Sequence, residues 1–377
     1  MAATGKRKKR SWAAKFFLAL NFLFAALLLI CYATPYISHA RYWLFAFFGL
    51  AYPVLLAVNL LFILGWTVAW RKYVWISLAI VFFGINHILS YVQFHLSMPD
   101  PAPERAVKVL SFNVHNLYGT TAPRKKDNRV FPGVLEFLGR QKPDILAIQE
   151  LDIARSDSCH IFSNISSVIQ SGHLFYKNYY ETVARKRINA LVIFSRYPIV
   201  RNGYFRLNQR NVFGIFTDLM IRGDTVRVYN LHLESFHFGR EDYSFYEQLT
   251  EQESEQFRFT EGSKKIFSKL KKAFIIRAEQ TDVVRREIDS SPYPVIVLGD
   301  FNDTPVSYTY REMTRKLSDA YKKAGQGVFG STFAGNFPSF RIDYILFDED
   351  FRAHDYQRYN VELSDHYPVS VSLDLNP

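Results

Sequence analysis

Hydrophobic residues fill most of the first hundred positions of the chain, in three long runs. The runs cover 13–36, 42–70 and 73–94 and contain almost no charged side chains. Each is long enough to cross a bilayer as a helix, which takes about 20 apolar residues. The pattern therefore predicts three transmembrane helices in a membrane anchor at residues 1–97. A cleaved signal peptide is the alternative for the first run, because basic residues precede it.

From residue 107 to 377 the hydrophobic pattern becomes that of a folded α/β domain, after a proline-rich stretch at 98–106 that predicts a stiff linker. Apolar residues recur at helical spacing in 131–139 and 274–288. Short apolar runs predict strands, one of which we expect to end at Gly299 and another at Glu150. The predicted strands are 107–114, 144–149, 173–182, 190–195, 213–221, 226–234, 295–298, 341–347 and 369–373. Strands joined by both hairpins and helices predict a mixed α/β sandwich.

The charges are distributed unevenly between these two regions. The chain has 46 Lys and Arg against 35 Asp and Glu, a formal net charge of +11. Nine of the basic and one of the acidic residues lie in 1–100, which leaves a net of +3 for the rest. The basic clusters at 6–10 and 71–72 predict a cytoplasmic N-terminus in a multi-pass protein of the cell membrane. Three spans then place the region after residue 97 on the periplasmic or extracellular side, with the lipid bilayer as a partner and no protein partner.

Polar residues recur at the ends of the predicted strands. Each one alone has a structural explanation, such as a turn or a solvated strand end. Together they combine carboxylates, amides and imidazoles, which is the set that metal-assisted phosphoryl chemistry requires. The residues are Asn113, Glu150, His232, Asp300, Asn302, Asp343, Asp365 and His366.

Six short motifs that contain these residues resemble, in order, those of the endonuclease/exonuclease/phosphatase superfamily, which includes DNase I-like nucleases and inositol polyphosphate 5-phosphatases. The resemblance covers about 107–374 and implies a four-layer α/β sandwich with two central mixed β-sheets and helices outside. The motifs are Ser111-Phe112-Asn113-Val114, Asp144-Ile145-Leu146-Ala147-Ile148-Gln149-Glu150, Asn230-Leu231-His232-Leu233, Gly299-Asp300-Phe301-Asn302, Arg341-Ile342-Asp343-Tyr344 and Ser364-Asp365-His366-Tyr367-Pro368.

The resemblance implies a metal site and a reaction. Glu150 resembles the principal Mg²⁺ ligand, with Asn113 beside it and Asp365 approaching the metal; Mn²⁺ is an alternative ion. Asp300 resembles the base that activates water. The other roles implied are a phosphate contact for Asn302, His232 and His366, and support of one histidine by Asp343. The reaction implied is in-line attack of water on a phosphodiester or phosphomonoester.

The sequence leaves the substrate open. Arg187 and Asn189 are candidate substrate contacts, although a solvated basic turn explains them equally well. An aromatic and basic insertion at 235–272 is either packed helix or a lid that sets specificity. The main hypothesis is a membrane-anchored Mg²⁺-dependent phosphoesterase. A nuclease is one enzyme of this kind. The alternatives are a phospholipid or inositol-phosphate hydrolase and an inactive membrane-tethered scaffold.

Overall fold

A computed structural model describes residues 12–69, 72–94, 101–117, 119, 130–179, 186–208, 211–236, 256–328, 330–335 and 340–375. The basic cluster at 6–10, Arg71, part of the linker and residues 237–255 of the insertion lie outside the described residues. Two regions follow one another along the chain. The first is helical and the second contains two large β-sheets.

The helices of the first region are α1 (Trp12–Ala33), α2 (Leu44–Val68), α3 (Val74–Phe83) and α4 (Ile85–Ile88). Among the described residues, two segments are long and apolar enough to cross a membrane, Trp12–Tyr36 and Leu44–Val68, with mean hydropathies of 2.4 and 2.3. The prediction of three such helices was wrong, because the third run is interrupted at Gly84 and divides into helices of ten and four residues. The expectation that an odd number of spans sets the side of the catalytic region therefore loses its basis.

Buried polar side chains hold α1, α2 and α3 together. Asn21 donates to the Ser77 hydroxyl (2.6 Å), which donates to Asn59 (3.1 Å). The Trp66 indole donates to Asn21 (3.0 Å), so this tryptophan lies inside the bundle. These hydrogen bonds pair polar side chains that are buried between the helices, where an unpaired polar group would be costly.

The second region is an α/β fold with two mixed six-stranded sheets. One sheet has the strand order β10-β12-β9-β8-β7-β6 and the other β13-β14-β2-β3-β5-β4, while β1 and β11 form a separate pair. The strands are β1 (Val92–Gln93), β2 (Val107–Asn113), β3 (Ile145–Ala154), β4 (His173–Asn178), β5 (Arg187–Ser195), β6 (Ile199–Arg206), β7 (Val212–Ile221), β8 (Asp224–His232), β9 (Val295–Asp300), β10 (Ser318–Asp319), β11 (Gly327–Val328), β12 (Asp343–Phe347), β13 (Phe351–Arg358) and β14 (Val369–Leu375). The helices are α5 (Val130–Gln141), α6 (Ser158–Ile169), α7 (Gln256–Asp289), α8 (Tyr308–Met313) and α9 (Ala320–Ala324).

Three hydrophobic clusters produce a layered architecture. A central cluster joins the facing sides of both sheets, with Val109 and Leu191 against Ile215 and Leu298. The outer face of one sheet packs on α5 and α6, and that of the other on α7 and α8. The order is helix, sheet, sheet, helix, which agrees with the expected four layers.

Two strands continue beyond their expected ends. Both continuations help to position the polar residues at the strand ends, which together form the polar edge. β3 passes through Glu150, which has a φ of 54° at a bulge between Ile148 and Leu151. β9 passes through Gly299, whose φ is 144° and where any Cβ would overlap the backbone of Leu231. Only glycine permits that close approach of β9 to β8.

Candidate active site

The polar residues predicted from the sequence meet at one end of the packed sheets. Asn113, His232 and Asp300 are the last residues of β2, β8 and β9, and Asp343 is the first residue of β12. In the strand register Asp300 pairs with both His232 and Asp343. Because β8 runs parallel to β9 and β12 runs antiparallel to it, these side chains reach the same edge of the sheet.

The Asp300 carboxylate accepts three hydrogen bonds at this edge. The donors are the Asn302 backbone N–H (2.8 Å), the Asn302 side-chain amide (3.2 Å) and the Asn113 amide (3.1 Å). The Asn302 amide also donates to the Leu233 carbonyl (3.0 Å), and Asn302 has a φ of 52°, a conformation that asparagine tolerates well. The buried carboxylate of Asp300 is therefore held in one orientation.

Two histidines flank this carboxylate. His366 Nδ1 lies 2.9 Å from Asp343 Oδ2, and its Nε2 lies 3.7 Å from Asp300 Oδ2. His232 Nε2 also lies 3.7 Å from Asp300 Oδ2, while its Nδ1 lies 3.0 Å from the Tyr179 hydroxyl. Each ring thus has one nitrogen fixed by the protein and the other directed at Asp300, which sets the tautomer that the second nitrogen presents. Among the described side chains, His232 Nε2 is buried without a hydrogen-bond partner.

A second group of side chains surrounds Glu150. Its Oε2 accepts from the Asn116 amide (2.8 Å), and its Oε1 lies 3.4 Å from the Asn113 amide and 3.5 Å from His232 Nε2. Asp365 lies close by, with its Oδ1 at 3.3 Å from His115 Nδ1. Two carboxylates and an amide therefore face the same space.

Burial and neighbouring charges shift the pKa values of these groups. Burial raises the pKa of Asp300 to about 6. Burial alone would lower the pKa of His366, but the carboxylates of Asp343 and Asp300 outweigh it and hold that pKa well above its usual range. Burial also opposes ionisation of Glu150, yet the imidazoles led by His232 bring its pKa below the usual range. Burial raises the pKa of Asp365, and the charge of Glu150 adds to the rise. The site thus combines an ionised acid, a protonated imidazole and an acid that titrates near neutrality.

The donor set fits a divalent cation. The charge of Glu150 contributes to the raised pKa of Asp365, and a cation beside both carboxylates would offset that repulsion. Mg²⁺ prefers oxygen ligands such as those of Glu150 and Asp365. A second group, Asp300, Asp343 and His366, brings its potential ligand atoms within 4.8 Å of one another. Its carboxylates already accept hydrogen bonds, and its third ligand is an imidazole, so it suits Mg²⁺ less well.

A cavity of about 350 Å³ opens over these residues. Asn189 lines it and donates to Asn116 (3.0 Å). Arg187 is not one of its lining residues, and its guanidinium binds the Asp152 carboxylate at 2.8 Å. Of the two predicted substrate contacts, the structure therefore brings only Asn189 to the cavity. Its aromatic wall includes Phe213, Phe236, Phe333 and Phe340.

Other residues of the site were missed in the sequence. Tyr179 accepts from the Glu150 backbone N–H (3.0 Å) in addition to its contact with His232. Asn230 spans the two sheets, because its amide donates to the carbonyls of Ile148 and Val192 (both 2.9 Å). Asn230 lies in a quoted motif, which is a signal that sequence reading could have used. Tyr179 follows an ordinary aromatic strand and carries no such signal.

The fold and the polar edge define a class of protein, the phosphoesterases built on a four-layer sandwich. The chain belongs to the Endonuclease/Exonuclease/phosphatase family, whose model matches residues 110–366. Members of this family are hydrolases of phosphoesters and generally use a divalent metal ion. A second family model, described as a domain of unknown function (DUF8431), matches residues 14–91. None of the curated proteins matches the chain.

Several solved structures are similar to the second region. An endonuclease/exonuclease/phosphatase family protein from Leptotrichia buccalis is 15% identical with a TM-score of 0.50, over 72% of this chain and all of that one. A protein of the same description from Beutenbergia cavernae is 16% identical with a TM-score of 0.51, over 72% of each chain. The human Nocturnin catalytic domain with bound sulfate is 16% identical with a TM-score of 0.50, over 73% of this chain and 96% of that one. At these identities the likeness concerns the fold alone.

Proposed function

We propose that this protein is a membrane-anchored, Mg²⁺-dependent phosphoesterase that hydrolyses its substrate by in-line attack of water. One observation carries the proposal. Two imidazole Nε2 atoms, of His232 and His366, each lie 3.7 Å from the same buried carboxylate oxygen of Asp300. A tetrahedral phosphate with an attacking water needs donors and a base in this arrangement.

The protein's own residues divide the work as follows. Asp300, with its pKa raised to about 6, accepts the proton of the attacking water. His366, kept protonated by Asp343, donates from Nε2 to a phosphoryl oxygen. His232 donates from its own Nε2, because the Tyr179 hydroxyl can donate to Nδ1 and leave the proton on the other nitrogen. Asn302 positions the base through two hydrogen bonds.

Glu150, Asp365 and Asn113 would hold the metal ion. When bound, a divalent cation supplies positive charge against the phosphoryl oxygens. The support for this assignment is the pair of neighbouring carboxylates, whose mutual repulsion a cation would relieve.

The cavity favours a substrate with a single phosphate group. None of its described lining residues is Lys or Arg, although the chain has 46 such residues. A nucleic-acid groove brings several cations to successive phosphates. A phospholipid is the second candidate, because the cavity wall extends towards the apolar helices. Phe236 of the wall packs on Phe274, which packs on Phe47 of α2, with ring centroids 5.5 and 5.2 Å apart.

The same contacts support a location for the catalytic region. Phe267 and Phe274 of α7 pack on Trp43 and Phe47, at the start of α2. This end of the α1–α2 hairpin is opposite to the N-terminus of α1. With α1 and α2 crossing the cell membrane and the basic residues 6–10 in the cytoplasm, the catalytic region lies on the periplasmic or extracellular side.

The test uses the full chain in detergent micelles, with Mg²⁺ or with EDTA. The substrates are bis-p-nitrophenyl phosphate, p-nitrophenyl phosphate, plasmid DNA, single-stranded RNA and phospholipid vesicles. Asp300→Asn serves as the inactive variant and Asp350→Asn, an exposed acid, as its matched control.

The proposal expects Mg²⁺-dependent turnover that Asp300→Asn loses and Asp350→Asn keeps. Hydrolysis of lipid with DNA and RNA untouched assigns the second candidate, and nicking of DNA assigns a nuclease. Absence of turnover on all five substrates with Mg²⁺ and with Mn²⁺ would contradict the proposal and favour the inactive scaffold.

A further inference from the structure

The helical module, residues 12–94, packs directly on the loops that carry the catalytic side chains. We propose that it is a positioning element of the active site as well as an anchor, and this gives a role to the segment that matches the domain of unknown function. The kinetic part of the proposal rests on the proposed function. The structural part does not.

The first contact is between α2 and the loop that follows Asn302. Val306 of this loop is fully buried in a cluster with Leu28, Tyr52 and Tyr91 of the module. The backbones approach so closely that a methyl group at Gly49 would overlap the Val306 carbonyl oxygen. The fit at this point therefore depends on the absence of a side chain.

The loop between α1 and α2 makes a second contact on the same side. His39 is 1% exposed, and its ring packs edge-on against Phe274 at 6.2 Å and lies 6.0 Å from the ring of Tyr308. It faces the charges of Asp303 and Arg277. Arg277 in turn binds the Glu234 carbonyl (2.9 Å) and lies 3.4 Å from Asp303, and Glu234 lines the cavity.

The third contact is made by Arg341, two residues before Asp343. Its buried guanidinium donates to the Ser90 carbonyl of the module (2.9 Å) and pairs with Asp319 (2.8 Å). Three rings surround it, those of Tyr344 (4.7 Å), Tyr321 (4.9 Å) and Tyr310 (5.5 Å). Tyr321 also donates to the Tyr91 carbonyl (3.0 Å). If a partner moved away from the buried guanidinium, an uncompensated charge would remain and the folded protein would be destabilised. This contact therefore fixes the module against β12.

The loop that follows Asn302 and the segment that precedes Asp343 receive these contacts, and they are hydrogen-bonded to each other. The Phe301 N–H donates to the Ile342 carbonyl (2.8 Å). The Tyr344 hydroxyl lies 2.8 Å from the carbonyls of both Asp303 and Arg341. Movement of the module would therefore shift Asn302 and Asp343 together. These residues orient Asp300 and His366, and a displacement of about 1 Å in such groups lowers turnover about 100-fold.

The test compares two glycines of α2 in the full chain in detergent micelles. Gly49→Ala introduces the overlap with Val306, whereas Gly65→Ala places its methyl 3.3 Å from Cζ of the partly exposed Phe17 ring, away from the catalytic region. Alanine is more favourable than glycine inside a helix by about 1 kcal/mol, so helix propensity alone would stabilise both variants. The measurements are kcat, KM and amide hydrogen exchange of residues 299–306 and 340–347.

We expect Gly49→Ala to lower kcat at least 10-fold with KM nearly unchanged and to speed exchange in those two segments, while exchange in β2 and β3 is unaffected. Gly65→Ala should match the wild type in both measurements. If Gly49→Ala does not fold, His39→Ala, which removes a contact without an overlap, is measured in its place with the same expectation.

Equal exchange in the Gly49 and Gly65 variants would overturn the inference, whether or not any substrate is hydrolysed. Uniformly faster exchange throughout the catalytic region would also overturn it, because it would indicate general destabilisation. If the wild type has no turnover but Gly49→Ala alters exchange only in the two segments, the positioning contact stands and the proposed function fails.

Discussion

Replacement of Asp300 by asparagine separates the catalytic role of this residue from its effect on stability. Asp300 is 1% exposed, and burial raises its pKa from 3.8 to about 6. An acid with a raised pKa takes up a proton on folding, so the free energy of unfolding falls as the pH rises from 3.8 to about 6 and stays lower above it. At 1.36 kcal/mol for each pKa unit, the ionised carboxylate costs about 3 kcal/mol at neutral pH.

Asparagine removes this cost but introduces another. The carboxylate accepts from the Asn302 backbone on one oxygen and from two side-chain amides on the other. A neutral amide placed with its oxygen towards the two side-chain donors leaves the Asn302 N–H facing an NH₂ group. The Asn302 N–H and the new NH₂ group are then two buried donors without acceptors, and each costs about 1–3 kcal/mol. We therefore expect the stability of Asp300→Asn at pH 7.5 in EDTA to lie between about 1 kcal/mol above and about 3 kcal/mol below that of the wild type.

Turnover should fall whatever the change in stability. Loss of a general base lowers the rate by about 10²–10⁴-fold, so kcat/KM for bis-p-nitrophenyl phosphate should fall by that factor. Urea denaturation in EDTA gives the stability and a Mg²⁺-dependent assay gives the turnover, with Asp350→Asn as the control. Near-wild-type turnover would refute the assignment of Asp300 as the base. A stability loss above about 3 kcal/mol would refute the inference that the buried charge is costly.

Three further predictions concern residues around this carboxylate and at the junction with the helices. His366→Ala should abolish most turnover, because the cationic donor to phosphate is lost, while circular dichroism shows an unchanged fold. Tyr179→Phe should lower kcat about 10-fold and shift the pH–rate profile, because one hydrogen bond of about 1.5 kcal/mol that sets the His232 tautomer is removed. Burial lowers the pKa of His39 from 6.5 to about 4. This histidine should therefore lower the free energy of unfolding by about 2 kcal/mol between pH 7.5 and pH 5. His39→Gln should lack that part of the pH dependence in thermal unfolding.

Each of these predictions has its own control. Tyr176→Phe on the neighbouring strand β4, with its ring against Phe162, should keep full activity, and equal losses in both tyrosine variants would exclude a specific role for Tyr179. A His366→Ala protein with normal turnover would remove that residue from the mechanism. The sign for His39 is set by the unfolded state, which binds more protons below pH 6.5, so an identical pH response in His39→Gln would show that other groups cause it.

The sequence by itself determined the two regions, the α/β class and the site residues that converge at the sheet edge. Continuous apolar runs locate strands because burial on both faces of a sheet demands them, and acids or histidines at the strand ends can be recognised whatever the strand register. It also determined the hydrophobic character of α1 and α2. Their length and apolar composition depend on local residues alone.

Only the tertiary structure decided features that depend on contacts between distant segments. The bulge that turns Glu150 towards the site requires β5 as the partner of β3, and the bond from Tyr179 to His232 joins different sheets. The third apolar run was overestimated because hydropathy does not register the break at Gly84, where any Cβ would overlap Tyr32. Arg187 was a candidate substrate contact in the sequence, but in the structure its guanidinium pairs with the carboxylate of Asp152. The junction between Gly49, Arg341 and the active-site loops carries no local signal, since close approach and buried pairing are properties of two surfaces and not of one segment.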